Sequence, residues 1–293
     1  MGEMRTQGTR PGSQARCVCR PRDGGATDLG SSQCDSTTWP REQSEWSVRI
    51  SDHRGHQDRI GGQVIEVGEG TALVAELLED PESFTQRGRA YQLLQAVFAG
   101  FPVDSLVGLL AHPNASVQRA ALFVASELGE QARHLVPSVV PLTASGNRHL
   151  AYGALEVLSV CATGDLIQHF LPLVNALEHD DQVIRSLAMR LLVRASTAQL
   201  AAACQQFSQG DDGNSVHLVG LRSLLAGSKL ELEKMASLIA SSDAVLCRYG
   251  AVALCRRGNN VRGVDEIISG ITNGEILDFI NGCRSPATEA IPR

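Results

Sequence analysis

Lysine is almost missing from this chain: Lys229 and Lys234 are the only two in 293 residues, against 24 arginines. The bias reads as a mark of GC-rich coding rather than of chemistry. Aromatic residues are scarce as well, at 4%, and both tryptophans, Trp39 and Trp46, fall within residues 1–62. No apolar run approaches the ~18 residues that a membrane-spanning helix needs. The polar, glycine-rich start has no apolar stretch of roughly 7 to 15 residues, so no secretory signal is expected. The expected location is therefore cytoplasmic. Catalytic signatures are lacking too: there is no G-x-S-x-G elbow, no Walker loop, no H-E-x-x-H and no paired-glycine fingerprint. His112, His134, His149, His169, His179 and His217 stand alone on separate stretches. They fit exposed or turn residues better than acid–base catalysts, and no enzyme, cofactor or metal site is expected.

Charge is unevenly spread. Residues 1–62 carry nine arginines and eight acids, whereas 63–293 carry 17 basic and 24 acidic residues, a formal +1 against −7. An acidic surface disfavours duplex binding, which relies on basic side chains displacing counterions from phosphate. The first segment has few aliphatic residues and no helical or strand period, so it cannot bury enough surface to offset the entropy of ordering. It is expected to be a disordered tail, either a tethered arm or an upstream extension from a misplaced start near Val64 or Val67. Five of the eight cysteines, Cys161, Cys204, Cys247, Cys255 and Cys283, lie among apolar stretches. There they read as reduced packing residues. Cys17, Cys19 and Cys34, with His53 and His56, lack the spacing of a structural zinc site.

What the chain does have is a period. A polar leader precedes an arginine or its substitute by five positions in Glu82 with Arg87, Asn114 with Arg119, Asn147 with Tyr152, Asp180 with Arg185, Asp212 with His217 and Asp243 with Arg248. The leaders are 32, 33, 33, 32 and 31 residues apart. A fixed period of this size marks a solenoid, in which each unit buries its apolar face against its neighbours. Helix pairs are expected at 70–79 with 84–98, 103–111 with 115–128, 135–144 with 148–161, and 166–177 with 182–195. The series continues with 198–207 and 215–225, then 230–240 and 244–256, and ends on short helices at 264–269 and 275–280 that cap the stack. Small residues recur where second helices must touch, at Ala90, Ala121, Ala154, Ala188, Gly220 and Ala251. Pro102, Pro137 and Pro172 recur near the starts of first helices, where a missing N–H is tolerated.

The segments LLAHPNASVQRAALFVASELG and ALEHDDQVIRSLAMRLL resemble HEAT repeats, in which two helices joined by an Asn/Asp-bearing turn stack into a right-handed superhelix. The likeness spans residues 70–257 and is strongest in the units headed by Asn114 and Asp180. It weakens where Tyr152 and His217 replace the arginine and where QGDDGN enlarges a turn. The signatures of tetratricopeptide and ankyrin repeats are missing. The resemblance implies an all-α, right-handed, armadillo-like α-solenoid of about six helix pairs over residues 63–293, acting as a non-catalytic scaffold for another protein.

Arg87, Arg119, Arg185 and Arg248 read as a ladder that bridges turn carbonyls or acids of adjacent units, because the guanidinium fork suits fixed, multi-donor bonding. A column gripping an acidic peptide or phosphate is the competing reading. Partner binding is expected instead at Arg190, Arg194, Arg222, Arg256 and Arg257 on the second helices, and at Glu76 and Glu79 in the acidic first unit. Other HEAT-like functions rank behind the scaffold: an immunity or inhibitor protein for a basic partner, a DNA glycosylase, and a cofactor-attachment protein similar to the bilin lyases. The last two would need, respectively, a basic aromatic concave face and a hollow lined by several tyrosines, histidines or acids.

Overall fold

The computed structural model describes residues 67–209, 215–258 and 263–284. The expected tail at 1–62, with its cysteines and tryptophans, lies outside the described residues, as do Glu66 and Asp212. Within the unit Gln63–Arg293 the described residues form helices and turns, with no strand among them. First come α1 (Val67–Glu79), α2 (Pro81–Gln86), α3 (Arg89–Phe98), α4 (Ser105–Leu110) and α5 (Ala115–Glu127). A 3-10 segment at Gly129–Leu135, α6 (Val136–Val139) and another 3-10 segment at Val140–Ala144 lead to α7 (Arg148–Cys161). Gly164–Phe170 in 3-10 form, α8 (Leu171–Asn175) and a 3-10 turn at Ala176–Glu178 lead to α9 (Gln182–Arg194). Then follow α10 (Thr197–Gln209), α11 (Val216–Ala226), α12 (Leu232–Ile239), α13 (Ala244–Arg257), α14 (Val264–Ser269) and α15 (Gly274–Arg284).

Three expected helices are broken, each for a local reason. Pro137 and Pro141 fall four apart within 135–144, and a proline inside a helix removes a hydrogen bond and crowds the carbonyl of the preceding turn. That segment is split into short 3-10 and α pieces, as is 166–177 around Pro172. The helix expected at 84–98 divides at Gly88, whose φ of 68° is left-handed and suits glycine.

Starts of the long second helices share one device. Asn114, Asn147, Asp181 and Asp243 sit in extended backbone and accept the N–H two residues on, at 2.8 Å for Ser116, 3.0 Å for His149, and 2.8 Å for both Val183 and Val245. Such caps satisfy donors that the first turn leaves open. Two residues upstream, His112, Ser145, His179 and Ser241 accept the cap's own N–H at 2.9–3.1 Å. The repeating sign is thus [His/Ser]-x-[Asn/Asp]. One expected leader shifts: Asp181, not Asp180, caps α9, and Asp180 lends its carbonyl to Arg185 instead.

The interior falls into two apolar clusters that meet on α7. Leu150, Ala154, Val157, Leu158 and Cys161 join the N-terminal cluster, while Ala151 and Leu155 join the C-terminal one. Helix α7 is therefore apolar on two sides, and beyond its first turn its outward stripe is made by Tyr152, Gly153, Glu156 and Ser159–Val160. Of the small residues expected at helix contacts, Ala121, Ala154, Ala188 and Ala251 are fully buried. Gly220 is needed where it stands, since a Cβ there would come within 2.1 Å of the Tyr249 ring.

Stacking changes character after α9. Helices α5, α7 and α9 pack in sequence, but α9 next packs directly on α13, while α10 and α11 form a hairpin set against the 3-10 segment before α8 and against α13. His217, expected to stand in for a ladder arginine on an exposed or turn position, is buried on α11. Its Nδ1 is 3.0 Å from the Tyr249 hydroxyl, its Nε2 is 3.0 Å from the Glu178 carboxylate, and Phe207 stacks on its ring.

The junction of α9 and α13 is tied by Glu275 in the first turn of α15. Arg185 grips it in a two-pronged contact, both distances 2.9 Å, and Arg248 reaches it at 3.3 Å. The same arginines bond carbonyls: Arg185 those of His179 and Asp180 at 2.8 and 2.7 Å, Arg248 that of Leu177 at 2.8 Å. The Arg185 hydrogen bonds, opposed by burial and joined by Arg248, hold the Glu275 carboxyl below its usual value. A carboxyl depressed in this way contributes stability that is complete above the unfolded-state value of ~4.3 and is lost as pH falls through the folded value. Glu275→Gln should therefore lower unfolding free energy by about 1–3 kcal/mol at pH 7, because two largely buried guanidinium groups lose their charged acceptor. Denaturant titrations at pH 7 and at pH 3 should show the gap between variant and parent narrowing at the lower pH.

Candidate functional site

The expected binding residues divide by what their side chains already hold. Arg256 spends its guanidinium on the end of α9, donating to the carbonyls of Leu192, Val193 and Ala195 at 2.8, 3.0 and 2.8 Å. Those carbonyls lie at the helix end, where intrahelical donors run out, so the contact acts as a C-terminal cap supplied from α13. Arg257 donates to the Leu230 carbonyl. Glu76 is held by Arg89, at 2.6 and 3.1 Å, with Arg87 3.8 Å away. These three are occupied in holding the fold. Arg190, Arg194, Arg222 and Glu79 are exposed.

The four ladder residues also part ways. Arg185 and Arg248 bridge turn carbonyls and Glu275, as above. Arg87 is on the surface, its side chain 67% exposed. Arg119 is half-buried, and its Nε has no hydrogen-bond partner. Two further bridging arginines carry no sign in the repeat pattern. Arg133 donates to the Thr163 hydroxyl at 2.6 Å, to its carbonyl at 3.1 Å and to Asp165, and Arg148 pairs with Asp181 of the next cap.

Two of the exposed residues, Arg190 and Arg194, lie on the outward stripe of a second helix, whereas Arg222 and Glu79 are not brought together with them. Arg190 and Arg194 lie one turn apart on α9, which packs on α7, the helix that carries Tyr152. Tyr152 and Glu156 lie one turn apart on α7, both half-buried. Glu127, at the end of α5, extends the row. Burial, reinforced by the nearby charge of Glu127, pushes the Glu156 carboxyl up to about 7, while Arg190 and Arg194 pull the other way. Burial also raises Glu127. It raises the Tyr152 phenol too, with Glu156 adding to the effect and Arg190 opposing it. The row thus offers two fixed cations beside a carboxyl that changes charge near neutrality. Sequence reasoning picked out the two arginines; it missed Glu127, which ends α5, and Glu156, which lies one turn beyond Tyr152 on α7. A small cleft of about 200 Å³, lined by Ser223, Leu224, Gly227, Ala253, Arg256 and Arg257, lies between α11 and α13. It falls below the range usual for small-molecule sites. Among the described residues no group of His, Cys, Asp and Glu is arranged to hold a metal ion, and no helix is long and apolar enough to cross a membrane.

No family model matches the chain, and neither does any curated protein. Among solved structures, the crystal structure of an engineered protein is similar over 74% of this chain and 67% of that chain, with 18% identity and a TM-score of 0.40. So distant a likeness carries no argument about what the chain does.

A carboxyl raised on folding makes the folded state keep its proton to higher pH than the unfolded state does, so the contribution of Glu156 to stability is complete below ~4.5 and declines as pH rises through about 7. Replacing Glu156 by Gln should flatten that decline. Relative to the parent, Glu156→Gln should gain roughly 1–3 kcal/mol between pH 4.5 and pH 8, as read from denaturant midpoints at the two values. Parallel pH profiles for the two proteins would show that Glu156 ionises normally.

Proposed function

We propose that the chain is a non-catalytic protein-binding scaffold of HEAT-like type, acting in the cytoplasm. In this reading residues 63–293 form an armadillo-like α-solenoid of helix pairs, and the outward stripe of α5, α7 and α9 is the docking face. The observation that carries the proposal is the division of the arginines. Arg185, Arg248, Arg256 and Arg257 are spent on carbonyls and Glu275, whereas Arg190 and Arg194 remain exposed in the row. Exposed arginines beside a tyrosine make a favourable docking patch, since Arg and Tyr are enriched where binding energy concentrates. The exposed Phe123 on α5 adds an apolar contact. The partner would present carboxylates or other acceptors to the arginines, and association would weaken with salt.

The test uses the full chain as bait in lysate from the source cells, beside Arg190→Glu/Arg194→Glu and an exposed control, Glu79→Arg. The parent and the control should retain the same protein at low salt, the double variant should retain at least tenfold less, and all three should melt alike. Equal recovery on the double variant would show that the arginine face is not the docking surface.

A further inference from the structure

His217 is the point at which four elements meet. It lies on α11 with 5% of its surface exposed, against Tyr249 of α13, which has none exposed. The Tyr249 hydroxyl is 3.0 Å from Nδ1, and the carboxylate of Glu178, in the 3-10 turn before α9, is 3.0 Å from Nε2. Phe207 of α10 stacks on the ring with 4.8 Å between centroids. These partners fix where the proton is. An ionised carboxylate only accepts, so Nε2 carries the hydrogen, and Nδ1 is left as the acceptor for the Tyr249 O–H. Every hydrogen-bonding position of the neutral ring is then filled. Among the described residues the Tyr249 hydroxyl has no other partner.

We propose that His217 is a pH-sensitive latch on the α10–α11 hairpin: the neutral ring holds the hairpin to α13, and uptake of one proton releases it. The latch does not depend on the scaffold reading. A second proton can add only at Nδ1, where it faces the Tyr249 oxygen. The hydroxyl must then turn its own hydrogen away, inside a residue that has no exposed surface. A buried donor left without an acceptor is costly, and so is a charge taken out of water. The nearest counter-charge is Glu178, but it is 56% exposed, so solvent screens its attraction.

The other polar groups around the ring supply no better counter-charge. Asp243, the cap of α13, already accepts the N–H groups of Val245 and Leu246 at 2.8 and 3.1 Å. Arg248, the residue before Tyr249, is turned to the Leu177 carbonyl and to Glu275. Helix α10 has no charged side chain; its Cys204 bears on the Tyr249 phenol. Arg222 on α11 is exposed. Burial prevails and holds the imidazole below its ordinary value, with Glu178 and then Asp243 pulling the other way. A histidine depressed on folding contributes stability that is complete above the unfolded value of ~6.5 and is lost as pH falls through the folded value. Release is local, because the tie that joins α9, α13 and α15 through Arg185, Arg248 and Glu275 includes neither α10 nor α11.

Amide hydrogen exchange of the full chain between pH 7.5 and pH 5.5, corrected for the pH dependence of intrinsic exchange, tests the latch. Protection in α10 and α11 should fall about tenfold, while protection in α3 and α5 stays level. The window separates His217 from the two carboxyls already described: Glu275 loses its charge at lower pH, and Glu156 acts in the opposite direction. His217→Gln keeps a donor for Glu178 and an acceptor for Tyr249 but takes up no proton, so its hairpin should show no such fall. Glu178→Gln, at an exposed position, removes the counter-charge and should move the fall to lower pH. Level protection of the hairpin in the parent would overturn the proposal, as would a fall shared equally by α3 and α5. An undiminished fall in His217→Gln or an unmoved one in Glu178→Gln would also count against it decisively. The parent profile needs no variant, so a His217→Gln chain that fails to fold leaves the test intact.

Discussion

The structure depends on arginine forks that reach backbone carbonyls. A helix ends with four carbonyls that have no partner inside it, and turns between stacked helices leave more. Burying them unpaired would cost free energy comparable to a lost hydrogen bond each. Arg256 gathers three such carbonyls at the end of α9, Arg185 takes two in the turn before the same helix, and Arg248 takes one more from Leu177. A lysine could not hold a carbonyl and a carboxylate in two prongs at once, because its donors radiate from a single point. Whatever produced the excess of arginine over lysine, the fold makes use of it.

Sequence and structure agree most closely where the determinants are local. Helix α7 has the limits that its apolar spacing implies, because Asn147 caps its start and both of its sides are covered. The prolines were visible too, yet their effect was read too generously: one near a helix start is tolerated, but Pro141 follows Pro137 by a single turn and the helix breaks into pieces. The capping turns were also within reach. A period drawn through His112, Ser145, His179 and Ser241 would have placed the caps correctly, including Asp181 in place of Asp180.

What could not be read locally is the arrangement after α9. A period of about 32 residues implies that each second helix stacks on the next, and nothing near Asp212 announces that α13 takes the place beside α9. Tyr249 fixes how α13 meets α11. Its ring lies where only a glycine, Gly220, leaves room, and its hydroxyl is met by the buried His217. The acidic partner of Arg185 lies 90 residues away. Reading the surface by charge alone overcounted it as well, because Glu76, Arg256 and Arg257 are as polar in sequence as Arg190 and Arg194 but are consumed by the fold.

The direct packing of α9 on α13 also bears on how the chain assembles. In a strictly linear stack every contact is made between close neighbours in sequence, so order can spread one unit at a time from any starting point. Here the α10–α11 hairpin must be looped out before α9 finds α13, and α15 must arrive before Arg185 and Arg248 have their shared carboxylate. Closing a loop of that length carries an entropic penalty that is met before the contacts repay it, which raises contact order and slows folding. The N-terminal cluster, built from short-range contacts, is free to form first. The C-terminal half is left to fold as one cooperative block, so removing α15 would loosen α9 and α13 together and not merely trim the end.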